Sequence, residues 1–418
     1  MSYYEIQGGR PLSGSLAIHG AKNSVLPILA ACLLVPGQCV LHNVPVLSDV
    51  SATLDILRLL GCRADWEGDT VVVDASVLSR SDIPEHLMRE MRSSVIFLGA
   101  LLARLGTAEL SYPGGCELGS RPIDLHLTAL RALGTEIREE QGVLCCQNSR
   151  PQGREICLSI PSVGATENVM LAACGCPGLT TILGAAREPE IVDLQGFLRA
   201  AGARVAGAGT STVVIQGGAS LHPAEYRVMG DRIAAATYLC GTAAAAGEIE
   251  LTGVAPDTLT AVLACLEEAG CSLRTEPNRI VLASRASLRG ISPVRTAPYP
   301  GFPTDAQAIL MAALAGGTGA TLFVENIFDS RYRHVDELRR MGADIQLAGR
   351  AAMVSGVGRL RGAAVRSTDL RGGAALVVAA LGAEGTTQVS GLRHIRRGYQ
   401  ALDKNLCALG ADIILIPN

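Results

Sequence analysis

The sequence predicts an α/β protein of two similar lobes, built from six repeats of about 70 residues each. Three observations support this prediction: a glycine-terminated helical pattern that recurs six times, a composition rich in glycine and small apolar residues, and the length. The chain has 418 residues, of which 48% are hydrophobic and 47 are glycine. A single core seldom serves more than about 250–300 residues, so we expect two domains.

Each repeat contains a helix-like apolar run that ends in a glycine and is followed by a β-branched segment. These glycines recur once in each repeat, at nearly even intervals. They are Gly61, Gly134, Gly202, Gly270, Gly342 and Gly410. A second glycine stands earlier in each repeat and marks a turn between a first helix and a strand; these are Gly37, Gly106, Gly178, Gly247, Gly319 and Gly385. The unit is therefore predicted as helix, turn, strand, second helix, glycine cap and strand pair.

The six repeats group as three plus three, because no polar repeat caps either end as an open solenoid would require. We expect a first lobe over 22–229, which carries the loop around Cys116, and a second lobe over 1–21 and 230–418. The segment ASLHPAEYRVMG is the expected crossover between them. The first strand has no partner in its own repeat, so we expect it in the second lobe.

Polar residues occupy equivalent helix starts in the repeats. These positions lie 14 or 15 residues before the turn glycine of each repeat, and they are Lys22, Arg92, Gly164, Arg232, Asp305 and Arg371. Asp231 and Asp369 are predicted helix caps, and Thr304 with Gln307 forms a capping-box pattern. Helix N-termini carry a partial positive charge and bind anions. Capping alone explains any one position equally well, but six in register favour a small ligand with several phosphates or carboxylates.

Two loops carry further candidate residues. Cys116 follows two glycines in a turn-rich segment, where the neighbouring Arg121 and His126 could lower a thiol pKa or orient a substrate. Asp305 follows a Pro/Gly loop and suits either a carboxylate that compensates the helix dipole or a general base near a hydroxyl. The sequence alone does not separate these two roles.

A third loop, GLRHIRRGYQ, gathers Arg393, Arg396 and Arg397 with His394. The default interpretation is a solvated basic patch, and the sharper one is a clamp for phosphate or carboxylate. Arg331 in ENIFDSRYRH repeats the pattern in the fifth repeat.

Charge, aromatic content and cysteines exclude several classes of protein. The net charge is −3 and aromatic residues make up 3%, which argues against a nucleic-acid partner. The 13 cysteines form no paired CxxC zinc pattern and suit a reducing cytosol. No signal peptide and no apolar run of about 18 residues is apparent, so we predict a cytoplasmic protein without a membrane span.

Seven motifs resemble, in order and spacing, those of the UDP-N-acetylglucosamine 1-carboxyvinyltransferase family of enolpyruvyl transferases. They are GAKNSVLPILAA, GGCELGSRPIDLH, SVGATEN, EPEIVDL, PGFPTDAQA, DLRGGAAL and HIRRGYQ, and together they cover essentially the full chain. The resemblance implies a two-lobed inside-out α/β barrel with the active site in the cleft between the lobes. It also implies transfer of the enolpyruvyl group of phosphoenolpyruvate to the 3-hydroxyl of UDP-N-acetylglucosamine, with release of phosphate. This addition and elimination, the first committed step of peptidoglycan precursor synthesis, proceeds in the family through a phospholactyl intermediate without metal or cofactor.

The resemblance also implies the site residues. The catalytic set is Lys22, Cys116, Asp305, Asp369 and Arg397. Cys116 would protonate or add to phosphoenolpyruvate and be alkylated by fosfomycin, while Asp305 would take the sugar hydroxyl proton with support from Asp369. The substrate-binding set contains Lys22, Asp305 and Arg397 and adds Asn23, Arg92, Arg121, Pro122, Ile123, Asp124, Leu125, Ser162, Val163, Gly164, Ile327, Arg331 and Arg371.

Within that set, the family assigns different parts of the substrates to different groups. Lys22, Asn23 and the arginines would hold phosphoenolpyruvate, with its phosphate on Arg121 and Arg397. The residues 121–125 and 162–164 would line the nucleotide, and Ile327 would lie against the uracil.

Three alternatives remain at this point. An enolpyruvyl transferase with another acceptor would lack the Cys116 loop and the SVGAT motif. A silent paralogue that binds the UDP-sugar would be expected to lose Lys22, Cys116, Asp305 or Arg397, and all four are present. RNA-end-processing enzymes use related repeats, but the acidic balance disfavours a nucleic-acid ligand. The role of Cys116 as acid or in product release, and the oligomeric state, stay open.

Overall fold

The structure, a computed structural model, describes residues 2–112, 123–285 and 287–417, without the side chain of Arg92. It divides into two compact units. The split unit comprises the chain up to His19 and again from Gly230, and the central unit lies between Gly20 and Met229. Each unit has its own hydrophobic core.

Strands form the outer layer of both units. Those in the first half of the chain are β1 (Tyr3–Gln7), β2 (Leu12–Ala17), β3 (Gln38–His42), β4 (Arg63–Glu67), β5 (Thr70–Asp74), β6 (Asp82–Ile83), β7 (Thr107–Ser111), β8 (Thr135–Glu140), β9 (Val143–Asn148), β10 (Glu155–Cys157), β11 (Gly178–Leu183), β12 (Arg204–Ala206), β13 (Thr212–Gly217) and β14 (Glu225–Arg227). Those in the second half are β15 (Gly247–Thr252), β16 (Ser272–Glu276), β17 (Arg279–Ser284), β18 (Val294–Arg295), β19 (Ala320–Val324), β20 (Asp344–Ala348), β21 (Ala351–Ser355), β22 (Ala364–Arg366), β23 (Thr386–Ser390) and β24 (Asp412–Ile416).

Helices alternate with these strands along the chain. They are α1 (Lys22–Ala31), α2 (Ser48–Leu59), α3 (Glu85–Glu90), α4 (Phe97–Leu105), α5 (Asp124–Ala132), α6 (Val163–Cys174), α7 (Pro189–Ala200), α8 (Arg232–Ala245), α9 (Thr260–Glu268), α10 (Thr304–Ala315), α11 (Val335–Arg340), α12 (Leu370–Gly382), α13 (Leu392–Ile395) and α14 (Leu402–Ala408). Short 3₁₀ turns cover Cys32–Leu34, Arg92–Ile96 and Pro256–Leu259.

In the described ranges the strands form six four-stranded sheets, three in each unit. The orders are β14-β3-β5-β4, β6-β7-β9-β8 and β10-β11-β13-β12 in the central unit, and β2-β15-β17-β16, β18-β19-β21-β20 and β22-β23-β1-β24 in the split unit. Every sheet begins with one parallel pair and continues with two antiparallel pairs. The predicted α/β fold of six repeats is confirmed.

The N-terminal strands complete sheets whose other strands come from much later in the chain. β1 lies antiparallel between β23 and β24, with Tyr4 opposite Val389 and Leu415. β2 lies parallel to β15, with Leu12 opposite Gly247. Because Tyr4 and Leu12 are buried there, the first strands contribute to the core of the split unit.

The six repeat glycines lie where the second helix of each repeat ends. They follow α2, α5, α7, α9, α11 and α14, and their φ angles lie between +88° and +108°. This left-handed conformation closes a helix C-terminus and is costly for residues with a Cβ. At Gly134 a Cβ would also lie 2.1 Å from the carbonyl oxygen of Arg150. The glycine period in the sequence therefore marks true helix ends.

The first helix of each repeat lies in the core of its unit. In α12, every residue from Arg371 to Leu381 is buried, and α8, α10 and α12 contact one another pairwise. A helix that is apolar on all sides needs such a central position. Strands of the outer layers alternate buried residues with half-buried or exposed ones, as β13 does in the central unit. Helices inside and sheets outside make each unit the inside-out α/β barrel implied by the resemblance.

No helix in the described ranges combines the length and the apolar character that a membrane crossing requires.

Candidate functional site

In the central unit, Lys22 is the first residue of α1 and forms a buried ion pair. Its Nζ donates to Oδ2 of Asp49 at 3.0 Å, and the side chains are 12% and 5% exposed. Asp49 lies in the first turn of α2. Because breaking a buried pair is costly, Asp49 fixes the ammonium at the start of α1. The next residue, Asn23, is exposed.

A second carboxylate, Asp193 of α7, holds the same helix turn. Its Oδ2 accepts from Ser24 Oγ and from the Met229 N–H at 3.2 Å, and its Oδ1 accepts from the Tyr226 hydroxyl at 2.7 Å. Burial raises the pKa of Asp193, and these three hydrogen bonds oppose that rise. The EPEIVDL motif thus positions the Lys22 motif from a neighbouring helix.

The SVGATEN motif begins α6 with a side-chain cap. Ser162 Oγ accepts from the Ala165 N–H at 3.3 Å, and its carbonyl accepts from the Thr166 N–H at 2.9 Å. Val163 and Gly164 lie in the first turn, whose remaining N–H groups have no acceptor within the helix. This helix start is suited to an anion.

Other predicted nucleotide-binding residues lie at the start of α5. Ile123 is buried and precedes the helix, Asp124 is exposed and Leu125 is half-buried in the first turn. Three predicted residues fall outside the described residues: Cys116, Arg121 and Pro122. Arg92 begins the turn Arg92–Ile96, and its side chain also falls outside.

Glu167 of α6 is a buried carboxyl group close to two other glutamates. It is 7% exposed. Burial raises its pKa well above the usual range, and the negative charges of Glu190 and Glu188 add to the rise. Burial and the neighbouring carboxylates therefore favour the protonated form of Glu167.

Glu167→Gln is expected to remove a pH dependence of stability. Below the unfolded pKa of about 4.5 both states carry the proton and the native state keeps its full stability. As the pH rises toward the folded pKa, the unfolded state releases its proton first, so wild type loses about 1.4 kcal/mol per pH unit. In urea unfolding, the free energy of unfolding of the variant should match that of wild type near pH 4.5 and increasingly exceed it as the pH rises.

The matched control is Glu155→Gln, which changes an exposed glutamate of the same unit. Its free energy of unfolding should follow wild type across this range. A difference between Glu167→Gln and wild type that does not grow with pH would contradict a raised pKa of Glu167.

In the split unit, Asp305 is held by two buried arginines. Its Oδ1 accepts from Arg331 Nη2 at 2.8 Å, and its Oδ2 accepts from Arg371 Nη2 and Nε at 3.0 and 3.2 Å. The arginine side chains are 2% and 3% exposed, whereas that of Asp305 is 29% exposed. Arg331 also donates twice to the Thr304 carbonyl. The carboxylate is thus oriented by guanidinium groups beneath it and reachable from solvent.

Arg371 connects this carboxylate to the loop of the last repeat. Its Nη1 donates to the Tyr399 hydroxyl at 3.1 Å, which is 2.8 Å from Thr237 Oγ1. Burial alone would lower the pKa of the Arg371 guanidinium, but Tyr399, Asp305 and Asp231 outweigh burial and raise it. Arg371 therefore remains charged in the core of the unit.

Two of the predicted helix caps are confirmed and one is wrong. Asp231 Oδ1 accepts from two N–H groups at the start of α8, and Asp369 Oδ1 accepts from the N–H groups of residues 371 and 372. Thr304 makes no cap with Gln307, because its hydroxyl donates to Glu325 Oε2 at 3.0 Å and α10 already begins at this residue. The hydroxyl of Thr304 therefore bonds to the carboxylate of Glu325, which follows β19, and does not cap its own helix.

Ile327 and Arg397 occupy loops next to these helices. Glu325 is fully buried, and its Oε1 accepts from the N–H groups of Ile327 and Phe328 at 2.8 and 3.0 Å. The half-buried Arg397 precedes Gly398, whose close approach to Leu370 places the loop beside the start of α12.

The structure therefore brings Asp305, Arg331, Arg371 and Asp369 together, and the loop that contains Arg397 lies beside the start of α12. The sequence did not indicate Glu325 and Tyr399, which bond to Thr304 and Arg371 in this unit, or Asp49, which holds Lys22 in the central unit. One signal was available, since Asp49 and Glu190 occupy equivalent positions ahead of the repeat glycines Gly61 and Gly202.

His334 was also missed, and it lies beside the site residues of the split unit. Burial lowers its pKa to about 4, Asp369 opposes this and Arg331 adds to it, so the imidazole is neutral. Among the described residues, no group of three or more His, Cys, Asp or Glu could hold a metal ion.

Comparison with known proteins covers nearly the whole chain. The sequence model of the EPSP synthase (3-phosphoshikimate 1-carboxyvinyltransferase) family matches residues 6–406. A UDP-N-acetylglucosamine 1-carboxyvinyltransferase 2 of Caldanaerobacter subterraneus subsp. tengcongensis is 49% identical over 416 residues, covering 100% of each chain. A UDP-N-acetylglucosamine 1-carboxyvinyltransferase of Dichelobacter nodosus is 45% identical over 414 residues, covering 99% of each.

Solved structures agree with the fold. The enolpyruvyl transferase NikO of Streptomyces tendae superposes with a TM-score of 0.89 at 27% identity, covering 99% of each chain. An EPSP synthase of Acinetobacter baumannii superposes with a TM-score of 0.76 at 18% identity, covering 100% of each, which shows the fold alone.

Proposed function

This chain belongs to the EPSP synthase family of enolpyruvyl transferases, and we propose that it transfers the enolpyruvyl group of phosphoenolpyruvate to the 3-hydroxyl of UDP-N-acetylglucosamine. The observation that carries this proposal is the full-length identity of 43–49% to relatives named UDP-N-acetylglucosamine 1-carboxyvinyltransferase. The reaction would release phosphate and provide the first committed intermediate of peptidoglycan precursor synthesis.

The proposed reaction proceeds by addition and then elimination. The sugar O3 attacks C2 of phosphoenolpyruvate while C3 takes up a proton, which gives a phospholactyl intermediate. Loss of a C3 proton and of the phosphate from C2 then restores the double bond. Charge develops on the phosphate and carboxylate in both steps, so fixed cations aimed at them would lower the barrier.

Asp305 supports the role of proton acceptor for the sugar hydroxyl. Of Asp305, Arg331 and Arg371, only Asp305 has an appreciably exposed side chain. Both of its carboxylate oxygens are held by the two arginines. A positioned carboxylate that acts as a general base typically raises the reaction rate by about 10²–10⁴-fold. The arginines would then act chiefly by placing this carboxylate, a refinement of their expected contact with phosphoenolpyruvate.

Lys22 supports the role of a fixed cation for phosphoenolpyruvate. The ammonium stands at the start of α1 and is held by Asp49. The predicted lobes, 22–229 and 1–21 with 230–418, would each supply part of the catalytic set. Ser162, Val163 and Gly164 would bind the diphosphate.

We assign the reaction to the cytoplasm. The 12 cysteines in the described part of the chain are all free thiols, as a reducing compartment would maintain.

Phosphate release by the purified protein tests the proposal. Release should require both UDP-N-acetylglucosamine and phosphoenolpyruvate, and shikimate 3-phosphate should not replace the nucleotide sugar. Release with a different acceptor alone would indicate another member of the family. Binding of the nucleotide sugar without any release would favour the silent paralogue.

Cys116→Ser is expected to lower phosphate release by about 100-fold or more, because a serine hydroxyl is a far weaker acid than a thiol. Fosfomycin should inactivate wild type and leave one covalent label at Cys116. The labelling is best done in a Cys157→Ser/Cys407→Ser background, since those two are the exposed thiols of the described chain.

The buried thiols supply an internal control for this labelling. Burial raises the pKa of Cys62 and Cys174 to about 12, which suppresses the thiolate form. If Cys116→Ser completes one rapid turnover and then stalls, the thiol acts in product release. If its steady-state turnover equals that of wild type, Cys116 is not a catalytic residue.

A further inference from the structure

Glu325 is a fully buried carboxylate of the split unit, and the proposed mechanism does not use it. It directly follows β19. A carboxylate is costly to bury unless hydrogen-bond donors surround it, so the donors around Glu325 indicate what it holds in place. Three donors reach its two oxygens, and they come from two separate parts of the unit.

The first part is the loop that follows Glu325 in the chain. Oε1 of Glu325 accepts from the N–H groups of Ile327 and Phe328 at 2.8 and 3.0 Å. Asn326 ties the same loop to the preceding repeat segment, because its N–H donates to Thr296 Oγ1 at 2.8 Å and its side-chain amide donates to the Thr296 carbonyl at 3.0 Å. The turn that carries Ile327, the residue expected against the uracil, is therefore fixed within the unit.

The second part is the start of α10. Thr304 is the first residue of this helix, and its hydroxyl donates to Oε2 of Glu325 at 3.0 Å. Its carbonyl accepts from Nε and Nη2 of Arg331 at 3.1 and 2.8 Å, and the same Nη2 donates to Asp305 Oδ1 at 2.8 Å. The residue before Asp305 is thus held at its side chain and at its carbonyl.

These interactions close into a ring. The guanidinium carbon of Arg331 lies 5.7 Å from the centre of the Phe328 ring, within the range of a cation–π interaction. The ring runs from Glu325 to Thr304, from Thr304 to Arg331, from Arg331 to Phe328 and back to Glu325. Asp305 is bonded covalently to Thr304 and by a hydrogen bond to Arg331, so the ring fixes its place relative to the loop.

We propose that Glu325 is a positioning residue, which sets the loop that contacts the uracil and the carboxylate of Asp305 at one fixed separation. This inference rests on the proposed function and deepens it. The uracil and the 3-hydroxyl belong to one substrate molecule, so the separation of their two protein contacts decides whether the hydroxyl reaches Asp305. An error of about 1 Å in such a placement can cost about 100-fold in rate.

Thr304→Val tests the link between Glu325 and α10. Valine has the shape of threonine without the hydroxyl, so the loop keeps its two bonds to Glu325 while α10 loses its own. The kcat for phosphate release should fall by about 10- to 100-fold, with the dissociation constant of UDP within about threefold of wild type. Thr304→Ser retains the hydroxyl and should keep kcat within about threefold of wild type.

Glu325→Gln separates position from charge. Backbone N–H groups can only donate, so the amide oxygen must face Ile327 and Phe328, and the amide nitrogen can donate to the Thr304 hydroxyl. All three contacts are retained, and kcat should stay within about threefold of wild type. Glu325→Leu removes all three contacts and should lower kcat at least as far as Thr304→Val does. A Gln variant as impaired as the Leu variant would show an effect of charge and overturn the proposal.

Thr321→Val is the matched control for a loss of stability. Thr321 is a buried residue of β19, whose hydroxyl accepts from the Ile291 N–H at 3.0 Å. This variant also removes one buried hydroxyl from the split unit, so its thermal midpoint should fall about as far as that of Thr304→Val. Its kcat should equal that of wild type wherever the protein is folded. Equal losses of kcat in the two valine variants would reduce the role of Glu325 to stability alone.

A double variant tests whether the effect acts through Asp305. In an Asp305→Asn background the carboxylate to be positioned is absent, so the kcat cost of Thr304→Val should shrink to less than about twofold. The full cost in that background would refute the inference.

Amide hydrogen exchange tests the hold of Glu325 on the loop without any activity measurement. The N–H groups of Ile327 and Phe328 should exchange at least about tenfold faster in Glu325→Leu than in wild type or in Glu325→Gln. Unchanged exchange in Glu325→Leu would refute the inference. If exchange behaves as expected but wild type releases no phosphate from the two substrates, the proposed function has failed while the hold of Glu325 on the loop stands.

Discussion

Lys22→Met is expected to reduce turnover by about 100- to 1,000-fold, the cost of removing one preorganised charge from a site where charge develops. Methionine keeps an unbranched side chain of similar length and removes the ammonium. The side chain of Lys22 is 12% exposed and its ammonium is bound to the buried Asp49, so the position of the ammonium is set by the fold. Phosphate release under saturating substrates measures the effect.

Lys22→Arg separates the charge from its geometry. Arginine retains a cation for Asp49 and should keep the thermal midpoint near that of wild type. Its planar fork does not reproduce a compact point charge, so turnover should remain far below wild type. Full activity of Lys22→Arg would show that any cation suffices at the start of α1.

The chain offers a matched control for this experiment, because its only other lysine is Lys404. Lys404 is an exposed residue of α14. Lys404→Met should retain wild-type turnover and stability. Loss of activity in that variant would point to a general effect of lysine removal and weaken the assignment to Lys22.

Asp305→Asn is expected to impair both catalysis and stability. The amide cannot take up the hydroxyl proton, which should lower turnover by about 10²–10⁴-fold. It also leaves Arg331 and Arg371, at 2% and 3% side-chain exposure, without their shared carboxylate. Removing one partner of a buried ion pair costs about 3–5 kcal/mol.

A double variant distinguishes these two effects. Asp305→Asn/Arg371→Met removes one negative and one positive charge, so it should be less destabilised than the sum of the single variants. Its turnover should remain as low as that of Asp305→Asn. Asp336→Asn supplies the control, since that carboxylate is 81% exposed and its pair with Arg339 is worth at most about 1 kcal/mol.

Stability and turnover together decide the interpretation. Asp305→Asn with turnover within tenfold of wild type would exclude this carboxylate as the proton acceptor. Additive losses in the double variant would show that Asp305 and Arg371 do not depend on each other in the folded chain.

The repeat pattern and the local helix signals could be predicted from the sequence. The six glycines specify helix ends because each must adopt a positive φ, a property of one residue. Asp231 and Asp369 could be identified as caps because their carboxylates bond to N–H groups two and three residues ahead. Such short-range interactions leave their mark directly in the sequence. The long family motifs likewise indicated the candidate residues.

Only the tertiary structure decided which side chains pair with each other when they lie far apart in the sequence. Asp305 and Arg371 are 66 residues apart, and Ser24 and Asp193 are 169 apart. Nothing local specifies such pairs, because packing of separate repeats determines which charges meet. Thr304 is a further example. The sequence pattern predicted that its hydroxyl would cap α10, but in the folded chain the hydroxyl donates to Glu325.

Burial in the folded chain likewise changed the chemical properties of residues that are unremarkable in the sequence. In the sequence Glu167 is an ordinary helix glutamate, but the surrounding core and two neighbouring carboxylates raise its pKa. His126 could be noted as a candidate, but only the fold brings its Nδ1 within 2.8 Å of the Asn168 side-chain amide. The sequence by itself determined the repeat, the helix boundaries and the candidate residues. Tertiary packing decided their burial, their pKa shifts and their partners, because these depend on groups that the chain brings together only when it folds.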